Sequence, residues 1–170
     1  SIDVAAQNCL FNIFKSDDLK KAIEEMYRVL KPHGRLVMSD PTCEQEMNEE
    51  LRNDARLRAL CLSGSLSIAN YVKALTDAGF GTIEIRARKP YRSLDPKNYP
   101  TEELIYIESI EVDAIKDPMP ADGPCIFTGK AAIFYGDEDY FDDGLGHTLL
   151  KNQPLAICDK TAAALKALDR

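Results

Sequence analysis

The first forty residues carry an apolar pattern that predicts a strand, a helix and a second strand. Residues 2–7 are short, mostly apolar and β-compatible, as expected of a buried parallel strand. The next segment has apolar residues at helical spacing on one face: Leu19, Ile23, Met26, Tyr27 and Leu30. Pro32 cannot continue this helix, and Gly34 can adopt the left-handed turn that follows. Residues 35–39 then predict a second buried strand, which completes a βαβ unit with a right-handed crossover.

The middle of the chain continues with two helical stretches and two strands. Helices are predicted over residues 44–60 and 68–78, and Ser67 is the N-cap of the second. Residues 82–88 alternate between apolar and polar side chains, as a strand does. The segment 104–115 is rich in Ile, Val and Tyr, which predicts a long antiparallel strand. Together these elements predict an α/β sheet.

The character of the chain changes at Asp117, because a cluster of Pro and Gly residues follows it. We therefore predict two parts, residues 1–116 and residues 117–170. The second part is predicted to be a small α+β extension. Its predicted elements are a strand over 126–135, an acidic turn over 136–143, a short strand over 147–151 and a helix over 159–168.

Composition narrows the classes of partner. The net charge of −7 comes from 28 acidic and 21 basic residues, which argues against a nucleic-acid backbone or an anionic membrane as partner. The sequence has no long apolar run that would span a membrane and no charged-then-apolar leader. Because the chain opens inside a predicted strand, we expect it to be truncated.

The five cysteines are widely spaced and form no Cys-x-x-Cys pair: Cys9, Cys43, Cys61, Cys125 and Cys158. This pattern fits neither a small disulfide scaffold nor a zinc ribbon. We expect reduced thiols in a cytoplasmic protein.

Several segments resemble one family. Residues 25–37 (EMYRVLKPHGRLV) resemble the helix-to-strand junction of class I methyltransferases, whose usual form is RVLKPGG before an apolar strand. Residues 3–12 (DVAAQNCLFN) resemble the fourth strand of arsenite methyltransferases, which ends in Asn-Cys with another Asn three residues on. Residues 60–66 (LCLSGSL) resemble their second cysteine segment, and the tail resembles their cysteine-bearing C-terminal region.

The resemblance implies an incomplete Rossmann-like class I methyltransferase sheet, from the fourth strand onward, with the last strand antiparallel. Residues 1–116 would be the C-terminal half of the methyltransferase domain, and residues 117–170 the cysteine-bearing α+β extension. It also implies S-adenosylmethionine as cofactor. The glycine-rich cofactor loop would precede Ser1, so we expect this chain to be inactive by itself.

The resemblance further implies that Cys9 and Cys61 bind trivalent arsenic as substrate, and soft thiolates do favour such soft ions. Gln7 and Asn8 finish the same strand and would lie near the reactive end of the cofactor. No catalytic acid or base is predicted. The alternative for each cysteine is a small buried apolar residue, which is the ordinary role of a free Cys.

Three further hypotheses stay open. A weaker set of candidate ligands for a soft metal comprises Cys125, His147 and Cys158. The alternative is that the two cysteines pack under a small sheet and that His147 is exposed. The chain as a whole could instead be a small-molecule methyltransferase with dispensable thiols, or a non-catalytic module that sequesters metalloid or soft metal. An exposed sheet edge also predicts self-association.

Overall fold

The computed structural model describes residues 1–168 of the chain. Its residues form two compact units, Ser1–Pro124 and Cys125–Arg170. Asp117, where the sequence predicted a boundary, begins the loop that ends the first unit.

The first unit is built on four neighbouring strands of one sheet. Its strands are β1 (Ile2–Asn8), β2 (Leu30–Thr42), β3 (Thr82–Leu94) and β4 (Ile105–Ile115), in the spatial order β1-β2-β4-β3. β1 and β2 are parallel and are joined by helix α1 (Ser16–Val29), which confirms the predicted βαβ unit. β4 runs antiparallel to both of its neighbours, which confirms the predicted antiparallel last strand.

The helical stretch predicted over residues 44–60 was wrong as a single helix. The structure has two short helices there, α2 (Glu49–Asn53) and α3 (Ala55–Ala59). Asp54 separates them because its side chain accepts hydrogen bonds from two amides in the first turn of α3 and so caps that helix. Helix α4 (Ile68–Asp77) begins as predicted, with Ser67 as its N-cap.

The junction between α1 and β2 differs from the predicted turn. α1 ends at Val29 and β2 begins at the next residue, and His33, not Gly34, has the positive φ of 62°. Glycine is needed at position 34 for another reason. A Cβ there would lie 2.9 Å from the carbonyl oxygen of Lys31 and 3.0 Å from that of Asp3, so only glycine permits this close backbone approach.

The core of the first unit lies between β2, β4 and the helices α1 and α4. Leu36 of β2, Leu75 of α4 and Ile83 of β3 are fully buried in it. Burying each such side chain stabilises the fold by about 1.5–3 kcal/mol. β1 was predicted to be buried, but only its Ala5 is; Ile2 and Val4 are 45% and 48% exposed.

The second unit is a set of short strands and one helix: β5 (Cys125–Phe127), β6 (Ala131–Ile133), β7 (Tyr140–Asp142), β8 (Thr148–Leu150), β9 (Pro154–Ala156) and α5 (Asp159–Lys166). β6 pairs with β9 and β7 with β8, both antiparallel. The strand predicted over residues 126–135 is interrupted, because Gly129 has a positive φ of 84° between β5 and β6. The predicted acidic turn also contains β7, while the final helix is present as predicted from Asp159 onward.

Candidate functional site

Two cysteines meet at the carboxyl end of the parallel strand pair. Cys9 directly follows β1, and its amide donates to the carbonyl of Ser39 on β2 at 2.9 Å. Cys61 follows α3, and its thiol donates to the carbonyl of Cys9, also at 2.9 Å. The structure thus brings together the two cysteines that the sequence analysis selected. Ligands of open α/β sheets bind at this edge.

Both cysteines have a left-handed backbone. The φ angles are 54° at Cys9 and 59° at Cys61, and residues 1–168 contain only two other non-glycine residues with positive φ, His33 and Asn152. This conformation costs an ordinary L-residue about 1–2 kcal/mol. Such strain persists only where the surrounding structure enforces it, and it concentrates at functional sites.

Asn12 holds the backbone of both cysteine segments in place. It is fully buried in the 3-10 turn after Cys9, and its side-chain amide donates to the carbonyls of Pro41 (3.0 Å) and Cys61 (3.2 Å). The hydroxyl of Tyr71, from α4, donates to the side-chain oxygen of Asn12. One buried amide therefore ties the end of β2 to both cysteine segments. Asn12 was predicted only as part of a family resemblance, and no sequence pattern identified Tyr71.

Asp40 is another polar residue of this region that the sequence did not predict. It lies on β2 with 0% of its surface exposed, and Gln7 donates to its Oδ2. Its Oδ1 has no hydrogen-bond partner of normal geometry in the part of the chain that the structure describes. Burial raises the pKa of Asp40 to about 7, against the lowering effect of Gln7 and of nearby backbone amides. The available signal was an acidic residue near the carboxyl end of an apolar parallel strand.

The thiol of Cys61 is held in its protonated form. Burial raises its pKa to about 11, and the neighbouring Cys9 thiol and Asp40 carboxylate add to the shift. Any ion that binds this sulfur must therefore displace its proton.

Gln7 and Asn8 line an open depression over the ends of β1 and β2, shared with Met38 and Ser39. The Gln7 side chain is fixed at both ends, because it also accepts from the amide of Leu10 at 2.9 Å. A larger cleft, formed by described residues of α1, α4 and the segment after β2, is lined by Cys43 but by neither Cys9 nor Cys61.

The second predicted cysteine group is only partly assembled. Cys125 on β5 and Cys158 before α5 lie near enough that each thiol shifts the pKa of the other. His147 lies elsewhere because its Nδ1 pairs with the Asp143 carboxylate at 2.6 Å in the β7–β8 turn. Within residues 1–168 no three or more His, Cys, Asp or Glu side chains are placed to hold a metal ion. The predicted three-residue convergence is therefore not found.

The sequence matches methyltransferases. A family model described as a methyltransferase domain matches residues 1–79. An arsenite methyltransferase of Aquipseudomonas alcaligenes is 41% identical over 66 residues, which cover 39% of this chain and 18% of that protein. The arsenite methyltransferase of Mus musculus is 35% identical over an alignment that covers 98% of this chain and 44% of that protein. The chain thus spans less than half the length of these curated relatives.

Solved structures agree on the fold. An arsenic (III) S-adenosylmethionine methyltransferase from Chlamydomonas reinhardtii superposes with a TM-score of 0.60 at 22% identity, over 97% of this chain and 56% of that one. The YcgJ protein from Bacillus subtilis superposes with a TM-score of 0.52 at 17% identity, over 69% and 64% of the two chains. No helix among the described residues is long and apolar enough to cross a membrane. Residues 1–79 therefore match a methyltransferase domain, arsenite methyltransferases are among the homologues of the chain, and the solved methyltransferase structure shares its fold. S-adenosylmethionine is the methyl donor that this resemblance implies.

Proposed function

We propose that this chain supplies the substrate side of an arsenite methyltransferase site, in which Cys9 and Cys61 bind the trivalent arsenic that receives a methyl group from S-adenosylmethionine. The observation that supports this proposal is the strained pair itself. Two thiols meet at a parallel strand edge, both on left-handed backbone, and Cys61 donates to the carbonyl of Cys9. The names of the relatives in Aquipseudomonas alcaligenes and Mus musculus favour arsenic as the substrate.

The chemistry of ligation suits protonated thiols. Each thiol forms one As–S bond as one As–O bond breaks, and the thiol proton leaves with the hydroxide as water. The raised pKa of Cys61 therefore does not oppose binding of arsenite, because no free thiolate is needed in the overall reaction. Sulfur ligation leaves the arsenic lone pair available to form a bond to carbon.

Methyl transfer in this arrangement requires positioning more than a general base. When bound, S-adenosylmethionine supplies an electrophilic methyl group on a sulfonium sulfur. Gln7 and Asn8 fit the reactive end of this cofactor, since they contribute polar side chains to an open depression at the same strand end as Cys9. In residues 1–168 no glycine-rich loop leads from a strand into a helix, so the fit concerns this end of the cofactor alone.

Strand β1, at the edge of the sheet, supports the proposal that the chain self-associates. β1 exposes Ile2 and Val4 along its length, and an exposed apolar edge favours pairing with another chain. We therefore keep self-association through β1 as a proposal. Sedimentation of the reduced chain tests it, because a monodisperse monomer would contradict it. The boundary at residue 117 and a cytoplasmic location stay predictions.

A titration with arsenite tests the proposed function. The experiment uses the reduced chain with the substitutions Cys125→Ser and Cys158→Ser, so that only the thiols of the first unit can bind arsenic. We expect saturable binding of one arsenic per chain, weakened at least about tenfold, or about 1.4 kcal/mol, by either Cys9→Ser or Cys61→Ser. Cys43→Ser is the matched control, because that buried thiol donates to the carbonyl of Gln45 and takes no part in the pair.

The outcomes separate the hypotheses. Equal affinity in the Cys9, Cys61 and Cys43 variants would contradict the arsenite proposal and favour a methyltransferase of another substrate. Tight binding that depends on Cys9 and Cys61 would support arsenic ligation by this pair, which the arsenite methyltransferase proposal and the sequestering module share.

A further inference from the structure

The second unit contains a pair of thiols that the proposed reaction does not use. Cys125 lies on β5, and Cys158 is the N-cap of α5. β5 and α5 are in contact, and the two thiols lie close enough that each shifts the pKa of the other. Cys158 is 4% exposed, whereas Cys125 is half-buried and can be reached from solvent.

The surroundings of Cys158 favour its thiolate. Burial alone would raise the pKa of this thiol, but the Thr161 hydroxyl, 3.2 Å from the sulfur, and the amides of Thr161 and Lys160 outweigh burial and lower it. The N-terminus of α5 therefore acts on the sulfur as helix N-termini act on other anions. This contrasts with Cys61, whose pKa is raised.

Cys125 is the more weakly activated partner. Burial raises its pKa, and the charge of Lys160 opposes that shift. The pair thus combines a thiolate-stabilised sulfur in the interior with a sulfur that is accessible and lies beside a cation. An incoming ligand can reach Cys125 first and then close onto Cys158.

The number of donors selects the class of ligand. Among residues 1–168 no third His, Cys, Asp or Glu completes a site around these two sulfurs. Structural zinc sites need four ligands, so two thiols alone do not form one. Arsenite has three exchangeable oxygens and keeps one hydroxyl when two thiols bind it. A trivalent arsenical with one organic substituent has two exchangeable oxygens, so it is saturated by two thiols.

We propose that Cys125 and Cys158 form a dithiol site for monosubstituted trivalent arsenicals, R–As(OH)2. Two As–S bonds form and two As–O bonds break, two waters leave with the two thiol protons, and arsenic stays trivalent. The choice of arsenic rests on the proposed function, while the dithiol itself rests only on the second unit.

Mass spectrometry of the intact, native chain with phenylarsine oxide tests the proposal. A phosphine keeps the cysteines reduced without competing as a dithiol. We expect two bound phenylarsenic groups on the wild-type chain, each with the mass of an adduct that has lost both oxygens. Cys125→Ser and Cys158→Ser are each expected to retain one full adduct. Serine is a favoured N-cap, so Cys158→Ser preserves the start of α5.

The variants of the first site make the result decisive. Cys9→Ser and Cys61→Ser are also expected to leave one full adduct, the one in the second unit, and Cys43→Ser is expected to leave two. Two full adducts on Cys125→Ser or on Cys158→Ser would overturn the inference. One adduct on the wild type that only Cys9→Ser and Cys61→Ser remove would overturn it as well, while the proposed function would stand. One adduct that only Cys125→Ser and Cys158→Ser remove would support the inference and contradict the proposed function.

Discussion

Replacing Asp40 by asparagine is expected to remove a pH dependence from the stability of the first unit. Burial raises the pKa of this carboxyl from 3.8 to about 7. The folded protein therefore holds a proton on Asp40 over a pH range in which the unfolded chain has already lost it. Because the folded state binds more protons there, the free energy of unfolding falls as the pH rises through that range.

The size of this pH dependence follows from the pKa of Asp40 in the folded and in the unfolded chain. Between about pH 5 and about pH 8 the carboxyl of Asp40 costs the wild type about 3 kcal/mol, since one pKa unit corresponds to about 1.36 kcal/mol. The group is fully buried, so solvent screening does not reduce this figure. Asparagine keeps an oxygen that can accept the hydrogen bond from Gln7 but cannot ionise.

Urea unfolding followed by circular dichroism at the two pH values measures the effect. The wild type is expected to lose about 3 kcal/mol more than Asp40→Asn as the pH rises. Asp77→Asn is the control, because Asp77 is exposed on α4 beside Lys73, and it is expected to keep the wild-type dependence. Equal pH dependence in Asp40→Asn and wild type would refute the assignment of a buried, proton-binding Asp40.

Two further substitutions probe the two thiol pairs. Asn12→Ala removes three hydrogen bonds of one buried side chain, two to the carbonyls of Pro41 and Cys61 and one from the Tyr71 hydroxyl. We therefore expect a loss of about 1–3 kcal/mol in the free energy of unfolding, measured by urea denaturation at constant pH. Asn70→Ala on the exposed side of α4 is the control, and equal losses in both variants would contradict the role given to Asn12. Thr161→Val removes the hydroxyl beside Cys158 and is expected to raise the pKa of that thiol and slow its alkylation by iodoacetamide about tenfold near neutral pH. Thr76→Val, on the solvent-facing side of α4, is the control for that measurement. An unchanged alkylation rate in Thr161→Val would show that the hydroxyl does not stabilise the thiolate.

The elements that the sequence predicted well depend on local signals. The apolar spacing of α1, the N-cap Ser67 and the β-branched run of β4 each act within a few residues, so the pattern identifies them. The burial of β1 could not be predicted in the same way. An apolar run looks alike at the centre and at the edge of a sheet, and only the strand order shows that Ile2 and Val4 face outward. At Asp54, a local cap prevailed over the helical period.

The candidate site was predictable only where a resemblance supplied it. Cys9 and Cys61 are far apart in the chain, and no spacing rule joins them. Their left-handed backbone was not predictable either, because cysteine has no preference for that conformation. The unpaired oxygen of Asp40 was not predictable, because it depends on burial under residues that are distant in the sequence, such as Gln7 and Asn12. His147 pairs with Asp143 four residues away, and this local contact keeps it from the distant cysteines.

The left-handed backbone at Cys9 and Cys61 has a consequence for selectivity. Buried Asn12 is hydrogen-bonded to the end of β2 and to Cys61, so the fold holds both cysteine segments in place without a ligand. In the proposed function, the fold therefore sets the spacing of the two sulfurs. A ligand that matches this spacing gains the chelate effect without having to order the loops, which lowers the entropic cost of binding. If the pair binds arsenic as proposed, an ion with a larger radius would have to pull one cysteine out of this conformation, and we therefore expect the pair to discriminate by size as well as by softness.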